Sequence, residues 1–297
     1  MKKGNKRPPW LFIAACSLPA FLLASYFILW PAIQVFYQSF TNSTVLKLRE
    51  PEFIGFANFA TMFGDKRFIT AFWNTAKLAL AAPFITILFA LVLAFMVTQS
   101  KLKERGVYRT IFFFPSIVSM TVIGIVWSYV FHPTRGILNM VLVKMGFENF
   151  DGFPWLASSS TAIWAIAVAF IWQSAGYFMV MHIAAIDGIS TEIFEAAKID
   201  GASPLRQLTH ITLPLIKEIV GITLIFSLSG ILDSSFTFSR VMTPKGQAEV
   251  LLSYSYTQGF TNAQYGYAMA ITAFTLTIAV FLAAISRFYT GRQEMEV

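Results

Sequence analysis

Charge is scarce in this chain: of its 297 residues, only 12% are Asp, Glu, Lys or Arg. A typical soluble domain has about 25% and needs those charges for its surface. The shortage therefore excludes a soluble enzyme, and the 56% of hydrophobic residues exclude a disordered chain. Cysteine is nearly absent as well: Cys16 stands alone, which excludes an internal disulfide and a cysteine metal cluster. The composition instead indicates a polytopic membrane protein.

Motifs for nucleotide, metal and acid–base chemistry are also missing. The sequence has no G-x-x-x-x-G-K-[ST] loop to hold nucleotide phosphates, so we expect no cofactor and no ATP bound to this chain. His132, His182 and His210 lie far apart on different segments, and no metal site is expected from them. Paired carboxylates and histidine clusters are absent from the apolar segments, which argues against a membrane-embedded enzyme and leaves no catalytic residue to assign.

Long windows without Asp, Glu, Lys or Arg indicate where the chain can cross a membrane. A helix needs about 20 apolar residues to cross a hydrocarbon core of about 30 Å. We therefore predict an all-α, multi-pass protein with six transmembrane helices in a single transmembrane domain over residues 1–297. The spans are expected near residues 10–37, 72–99, 110–131, 162–186, 218–238 and 265–289.

The orientation of these spans follows from the basic residues, which exceed the acidic ones and give a net charge of +7. Cytoplasmic loops carry an excess of Lys and Arg, which explains the charge without a nucleic-acid partner. The first span is predicted to stay uncleaved, because its apolar stretch is longer than that of a signal peptide. The N-terminal segment and the connection between the second and third spans are both basic, and with six spans they lie on the same side of the membrane as both termini. Both termini are therefore expected in the cytoplasm. The basic residues are Lys2, Lys3, Lys6 and Arg7 in the first segment and Lys101, Lys103, Arg105 and Arg109 in the second.

The connection between the fourth and fifth spans has the pattern of two short helices and a sharp turn. Ser190 or Thr191 can cap the first helix, and Gly201 can adopt the positive φ that ends it. Ser203 and Pro204 then supply the cap and the first residue of the second helix. Small residues and an apolar edge suit this segment to docking on another protein. The alternative is a helical hairpin that only stabilises the membrane bundle.

This connection resembles the EAA loop in the membrane subunits of binding-protein-dependent ABC importers. The family pattern is Glu-Ala-Ala, then a glycine, then Ile-x-Leu-Pro at fixed spacing. Stretches from Leu18-Pro19-Ala20 to Gly136-Ile-Leu-Asn139 also resemble the MalF/UgpA-like group of carbohydrate permeases, so the resemblance covers nearly the whole chain. The residues that match the loop pattern are Glu195, Ala196, Ala197, Asp200, Gly201, Ala202, Ile211, Leu213 and Pro214.

The resemblance implies a MetI-like, type I importer fold, with residues 190–214 as the cytoplasmic coupling loop. It implies a transport subunit, not an enzyme, in the cytoplasmic membrane of a prokaryote. A second homologous permease subunit would complete the pathway, an ATPase dimer would bind ATP and Mg, and an extracytoplasmic solute-binding protein would deliver a sugar or oligosaccharide. The resemblance assigns ATPase coupling to Glu195, Ala196, Ala197, Asp200, Gly201 and Ala202, with Leu205 and Leu208 where many relatives have aromatic residues.

A sugar pathway needs aromatic planes beside neutral or acidic hydrogen-bonding groups, because a sugar has hydroxyls at its rim and C–H groups on its faces. Asp233 is the one acid in the interior of a predicted span, where a charge costs about 2.5–3.5 kcal/mol, so it should face a cavity or a partner. The alternatives are ordinary packing for the aromatic residues and a hydrated surface position for Asp233. The candidate pathway residues are Trp172, Gln173, Ser174 and Tyr177 in the fourth span and Phe226, Asp233, Ser234 and Phe236 in the fifth.

Other transported solutes and another transport class stay open at this point. A polyol, glycerol phosphate or another small solute is compatible with the same permease role. A phosphate ester would be favoured by a basic patch inside the spans, and the sequence has none. An ion-driven secondary transporter needs several intramembrane acids or broken helices, which a single acid matches poorly.

Overall fold

The computed structural model describes residues 10–44, 50–99 and 104–291. The regular elements among these residues are helices, and apart from one isolated bridge between Thr41 and Phe53 the described residues contain no β-structure. The all-α prediction is therefore confirmed. Six of the basic residues that carry the predicted orientation lie outside the described residues, namely Lys2, Lys3, Lys6, Arg7, Lys101 and Lys103.

The described residues form two compact units. The first combines the described part of Met1–Asp65 with Ser255–Thr275, and the second combines Lys66–Tyr254 with the described part of Leu276–Val297. Two of the three boundaries fall within helices, namely α13 (Leu251–Tyr256) and α14 (Tyr265–Gly291), and the third lies between Asp65 and Lys66. A single domain over residues 1–297 stays a prediction.

The first unit begins with a helical stretch that agrees with the predicted first span. Its most apolar stretch has no residue buried within the described part of the chain. The π-helix Ser25–Leu29 interrupts it two residues before Pro31, whose missing amide hydrogen cannot continue the regular ladder. The elements of the unit are α1 (Trp10–Ala24), the π-helix Ser25–Leu29, α2 (Trp30–Ser39), α3 (Ala57–Gly64), the π-helix Thr257–Thr261 and the beginning of α14.

The second unit is a helical bundle centred on one long helix. This helix, α8 (Ser159–Asp187), packs against α4 (Lys66–Gln99), α5 (Arg105–Ile117) and α12 (Lys217–Met242). It is apolar around most of its circumference, as expected for a helix inside a bundle. The remaining elements are α6 (Met120–Val130), α7 (Ile137–Lys144), the 3₁₀-helix Glu148–Phe150, α9 (Thr191–Ile199), α10 (Pro204–Gln207), the π-helix Leu208–Thr212 and α11 (Leu213–Leu215).

Two hydrophobic clusters hold this bundle together, and α8 contributes to both. In the first, Ile166 and Phe170 of α8 pack with Ile231 and Phe238 of α12. In the second, Met179 and Ile183 lie with residues of α4 and with Phe194 of α9. The second cluster thus extends from the long helices into the connection that follows α8.

The third predicted span, near residues 110–131, was wrong as a single helix. The structure instead has α5 and α6, which are bent by 99° at the break between them. Pro115 lies in the last turn of α5, and Val118 after it is extended with ψ of 141°. Gln173 of α8 donates its side-chain amide to the Val118 carbonyl at 3.1 Å, which satisfies a group that the break leaves without a helical partner.

Four helices in the described part of the chain are long and apolar enough to cross a membrane, and the bent pair would be a fifth span. The apolar part of α14 is a shorter helix, Tyr265–Phe281. Four of the predicted spans therefore coincide with long apolar helices. The count of six spans and the cytoplasmic termini stay predictions.

Candidate coupling loop and translocation pathway

The 190–214 loop begins with α9, whose ends have the predicted chemistry. The Ser190 hydroxyl accepts a hydrogen bond from the Glu192 backbone amide at 3.3 Å, which caps the helix. Gly201 follows the helix with φ of +73°, a conformation that favours glycine. The predicted cap and turn are therefore confirmed.

The second helical part of the loop begins as predicted but is less regular. The Ser203 hydroxyl accepts a hydrogen bond from the Arg206 amide at 3.3 Å, and Pro204 is the first helical residue. Gln207 is buried and donates its side-chain amide to the Ala202 carbonyl at 2.9 Å, which ties this helix to the turn before it. The chain then continues through a π-helical turn, and Leu208 packs against the second hydrophobic cluster.

The inner side of the loop is anchored in the membrane bundle. Phe194 and Ala197 are buried, and Phe194 belongs to the cluster that contains Met179 and Ile183. The Ala202 amide donates to the Ala197 carbonyl at 2.8 Å and closes the turn. The loop is thus packed against the bundle directly after α8.

The outer side of the loop presents an exposed surface that sequence reasoning described only in part. Glu195, Ala196 and Asp200 are exposed, whereas Ala197 of the same candidate set is buried. Leu205 is 70% exposed, and Ile199, which the sequence analysis did not single out, is 86% exposed. An isoleucine directly before Asp-Gly at a helix end in a charged loop was the available signal. Large exposed apolar side chains beside charged ones are typical of a docking surface.

An ion pair joins the base of this loop to the beginning of α5. Arg105 donates through Nη2 to both carboxylate oxygens of Asp187, at 2.7 Å each. Asp187 is the last residue of α8 and Arg105 the first residue of α5. The pair therefore joins the base of the loop to the broken third span.

The candidate pathway residues of α8 divide between two environments. Trp172 and Tyr177 are exposed, and Trp172 meets the ring of Trp127 of α6 edge to face, with centroids 5.9 Å apart. Gln173 is only 6% exposed and is engaged with Val118, while Ser174 is partly buried. Gln173 is therefore buried although Tyr177, one turn further along α8, is exposed.

The candidates on α12 divide in the same way. Phe226 and Asp233 are exposed, and Ser229, which sequence reasoning missed, is exposed between them. Their spacing of three and four residues places them along one face of the helix. Ser234 is buried and Phe236 is partly buried. An aromatic ring, a hydroxyl and a carboxylate thus lie along the exposed face of α12.

A polar contact between α8 and α12 adds to their apolar packing. His182 lies fully buried, with its Nε2 3.0 Å from the hydroxyl of Thr223. Both residues lie in the half of the bundle that leads to the 190–214 loop. A displacement of the loop would therefore act on both helices together.

Comparisons with known proteins identify relatives over most of the chain. Residues 87–293 match the family model described as binding-protein-dependent transport system inner membrane component. The chain is 35% identical over 255 residues to the diacetylchitobiose uptake system permease protein NgcF of Streptomyces coelicolor. That alignment covers 80% of this chain and 72% of NgcF.

Solved structures agree with this family over nearly the full length. A bacterial ABC transporter involved in the import of the acidic polysaccharide alginate has a chain that aligns with a TM-score of 0.81 and 26% identity, over 96% of each chain. A bacterial alginate transporter in complex with its alginate pentasaccharide-bound periplasmic protein aligns with a TM-score of 0.80 and 25% identity, over 95% of this chain and 94% of that one.

Proposed function

The chain belongs to the family of binding-protein-dependent transport system inner membrane components, and from this membership we propose that it forms half of the pathway of an ATP-driven sugar importer. It has the MetI-like fold and is a transport component, not an enzyme. The observation that carries the proposal is the exposed surface of the 190–214 loop, where Ile199 and Leu205 are open to a partner. A sugar as substrate is supported by two relatives, one from a diacetylchitobiose uptake system and one from a transporter involved in alginate import.

The proposed topology has six spans with both termini in the cytoplasm of a prokaryotic cell. The bent pair α5–α6 and helix α14 would then supply the two spans beyond the four long apolar helices. Arg105 and Arg109 support this orientation, because basic residues favour the cytoplasmic side. The 190–214 loop follows the fourth span and lies on that same side.

The proposed partners follow from what the chain lacks and what it exposes. A separate ATPase dimer would bind ATP and Mg, since this sequence has no phosphate-binding loop. Its closure would push the 190–214 loop, and α8 and α12 would transmit the displacement. A second permease subunit would complete the pathway, and a solute-binding protein would deliver the sugar, as supported by the alginate complex.

Within the membrane, the proposed pathway uses the exposed members of the candidate set. Trp172 and Tyr177 of α8 supply aromatic planes, and Phe226 and Asp233 of α12 supply a further ring and an acceptor. Aromatic faces stack on the C–H faces of a sugar, and a carboxylate accepts hydrogen bonds from its hydroxyls. Gln173 and Ser234, being buried, would act on the pathway through helix position.

The docking role of the loop is tested by Ile199→Asp in the reconstituted importer. A charge in the interface removes a buried apolar contact worth about 1.5–3 kcal/mol, so we expect the affinity for the ATPase to fall about tenfold or more. The measurements are recovery of the ATPase with the tagged permease and uptake of labelled sugar into vesicles. Ile199→Leu, which keeps the apolar contact, is the control. Normal recovery and uptake with Ile199→Asp would contradict the proposed docking surface.

A further inference from the structure

A cavity of about 390 Å³ lies within the first unit, away from the candidate pathway residues in sequence. The end of α2 forms one wall through Tyr37 and Gln38, and Thr44 lies in the segment that follows. The other wall is formed by Phe260, in the π-helix Thr257–Thr261, and by Tyr265, the first residue of α14. Sites for small molecules have volumes of about 300–1,000 Å³, so this cavity is large enough for a ligand.

The walls of the cavity are fixed by contacts between the two segments that form them. The Gly266 amide donates to the Ser43 carbonyl at 2.9 Å, and a Cβ at Gly266 would collide with the Thr41 carbonyl oxygen. Asn58 donates through its side-chain amide to the carbonyls of Ser39 and Thr41 at 2.8 and 2.9 Å. A binding site needs this kind of preorganised support.

The chemistry of the lining is aromatic and neutral. The Phe260 ring packs against Tyr256 with centroids 4.9 Å apart and meets Tyr265 edge to face at 6.4 Å, so the rings hold each other in place. The side chains of Tyr37, Gln38, Thr44 and Tyr265 have no hydrogen-bond partner among the described residues. The described lining residues include no charged side chain.

We propose that this cavity is a binding site for a neutral saccharide, at the outer mouth of the importer. Ring faces beside unengaged hydroxyl and amide groups match the C–H faces and hydroxyls of a sugar. The position at the outer mouth rests on the proposed function and topology, in which the first span ends and the last span begins outside.

Protection of an introduced cysteine from labelling tests this site in the complete importer in vesicles. Cys16 is the only native cysteine, so Cys16→Ala gives a background in which Thr44→Cys reports on the cavity alone. Thr61→Cys, at an exposed position in α3 that does not line the cavity, is the matched control. The probes are diacetylchitobiose, arabinotriose and, as the charged comparison, glycerol 3-phosphate, with an impermeant maleimide as the label.

We expect at least one of the neutral saccharides, at ten times its dissociation constant, to slow labelling at residue 44 about tenfold and to leave residue 61 unchanged. Tyr37→Ala and Gln38→Ala should each weaken that protection, measured as the ratio of the labelling rates with and without saccharide in the same variant. Protection by neither saccharide, or protection by glycerol 3-phosphate instead, would overturn the proposal. Labelling that is slow and insensitive to every probe would mean that lipid or another subunit covers the cavity, which also overturns it.

Saccharide uptake, measured in the same vesicles, distinguishes a failure of the proposed binding site from a failure of the proposed transport function. Uptake of a neutral saccharide without protection at residue 44 would overturn the outer site and leave the importer role intact. Protection without uptake of any saccharide would support the cavity and count against the proposed transport activity.

Discussion

At Gly176 the backbone of α5 comes so close to α8 that a Cβ would collide with the carbonyl of Phe112. Three residues earlier on α8, Gln173 holds the carbonyl of Val118 at the end of the same short helix. The missing side chain at Gly176 and the side-chain amide of Gln173 therefore determine where α5 and the break after it lie against α8. Small residues allow this close approach of helices in membranes.

Gly176→Ala is expected to destabilise the protein, because the added methyl group forces α5 away from α8. Overpacking of this kind costs about 1–3 kcal/mol. Gly230→Ala is the matched control, since a Cβ there meets the Phe170 ring at an ordinary distance of 3.8 Å. The measurement is thermal unfolding of the purified complex in detergent. Equal stability of the two variants would contradict the close approach of α5 to α8.

Among the helices, the ion pair between Arg105 and Asp187 connects elements that are 82 residues apart in sequence. Both side chains are partly exposed, so the pair contributes little to stability: exposed pairs are typically worth about 0–1 kcal/mol. Its position is more informative than its energy. It connects the broken third span to the residue from which the 190–214 loop departs.

Charge reversal of this pair is predicted to alter coupling more than folding. Arg105→Glu and Asp187→Arg should each lower the sugar transported per ATP hydrolysed, because the base of the loop loses its attachment to α5. The double variant restores an ion pair of opposite polarity and should recover most of that ratio. The measurement is uptake and ATP turnover in the same vesicles. Single variants that couple normally, or a double variant no better than either, would argue against the connection.

The helical elements were predictable to different degrees, for physical reasons that particular residues make clear. The cap at Ser190 and the turn at Gly201 depend on neighbours in sequence, and both were found as predicted. The break after Ile117 depends on Gln173 and Gly176, which are more than fifty residues away. Pro115 was visible in the sequence, but it did not reveal that the side-chain amide of Gln173 would donate a hydrogen bond to the carbonyl left free by the helix break.

For the whole molecule, most of the apolar surface of the first span has no cover within the described residues. Lipid or a partner subunit must cover that surface in a membrane. In the proposed pathway, the exposed residues on α8 and α12 would supply only the part that belongs to this chain. Transport is therefore expected to be a property of the assembly.

The isolated chain is predicted to hydrolyse no ATP, because it has no phosphate-binding loop. Combination with the ATPase, the second permease subunit and the binding protein should restore turnover, and sugar-loaded binding protein should increase it. The measurement is phosphate release from each purified combination. ATP turnover by this chain alone, with contaminating ATPases excluded by a tagged and mock purification, would refute the assignment.

The sequence by itself determined the membrane class, the long apolar helices and the helix–turn–helix of the 190–214 loop. These features depend on composition and on local contacts, which the order of residues specifies directly. Only the tertiary structure decided that Gln173 serves the broken span and that Ile199 is exposed. It also decided that Tyr37 and Tyr265 share a cavity. Such pairings depend on which distant backbone segments meet, and hydrophobic periodicity does not specify that.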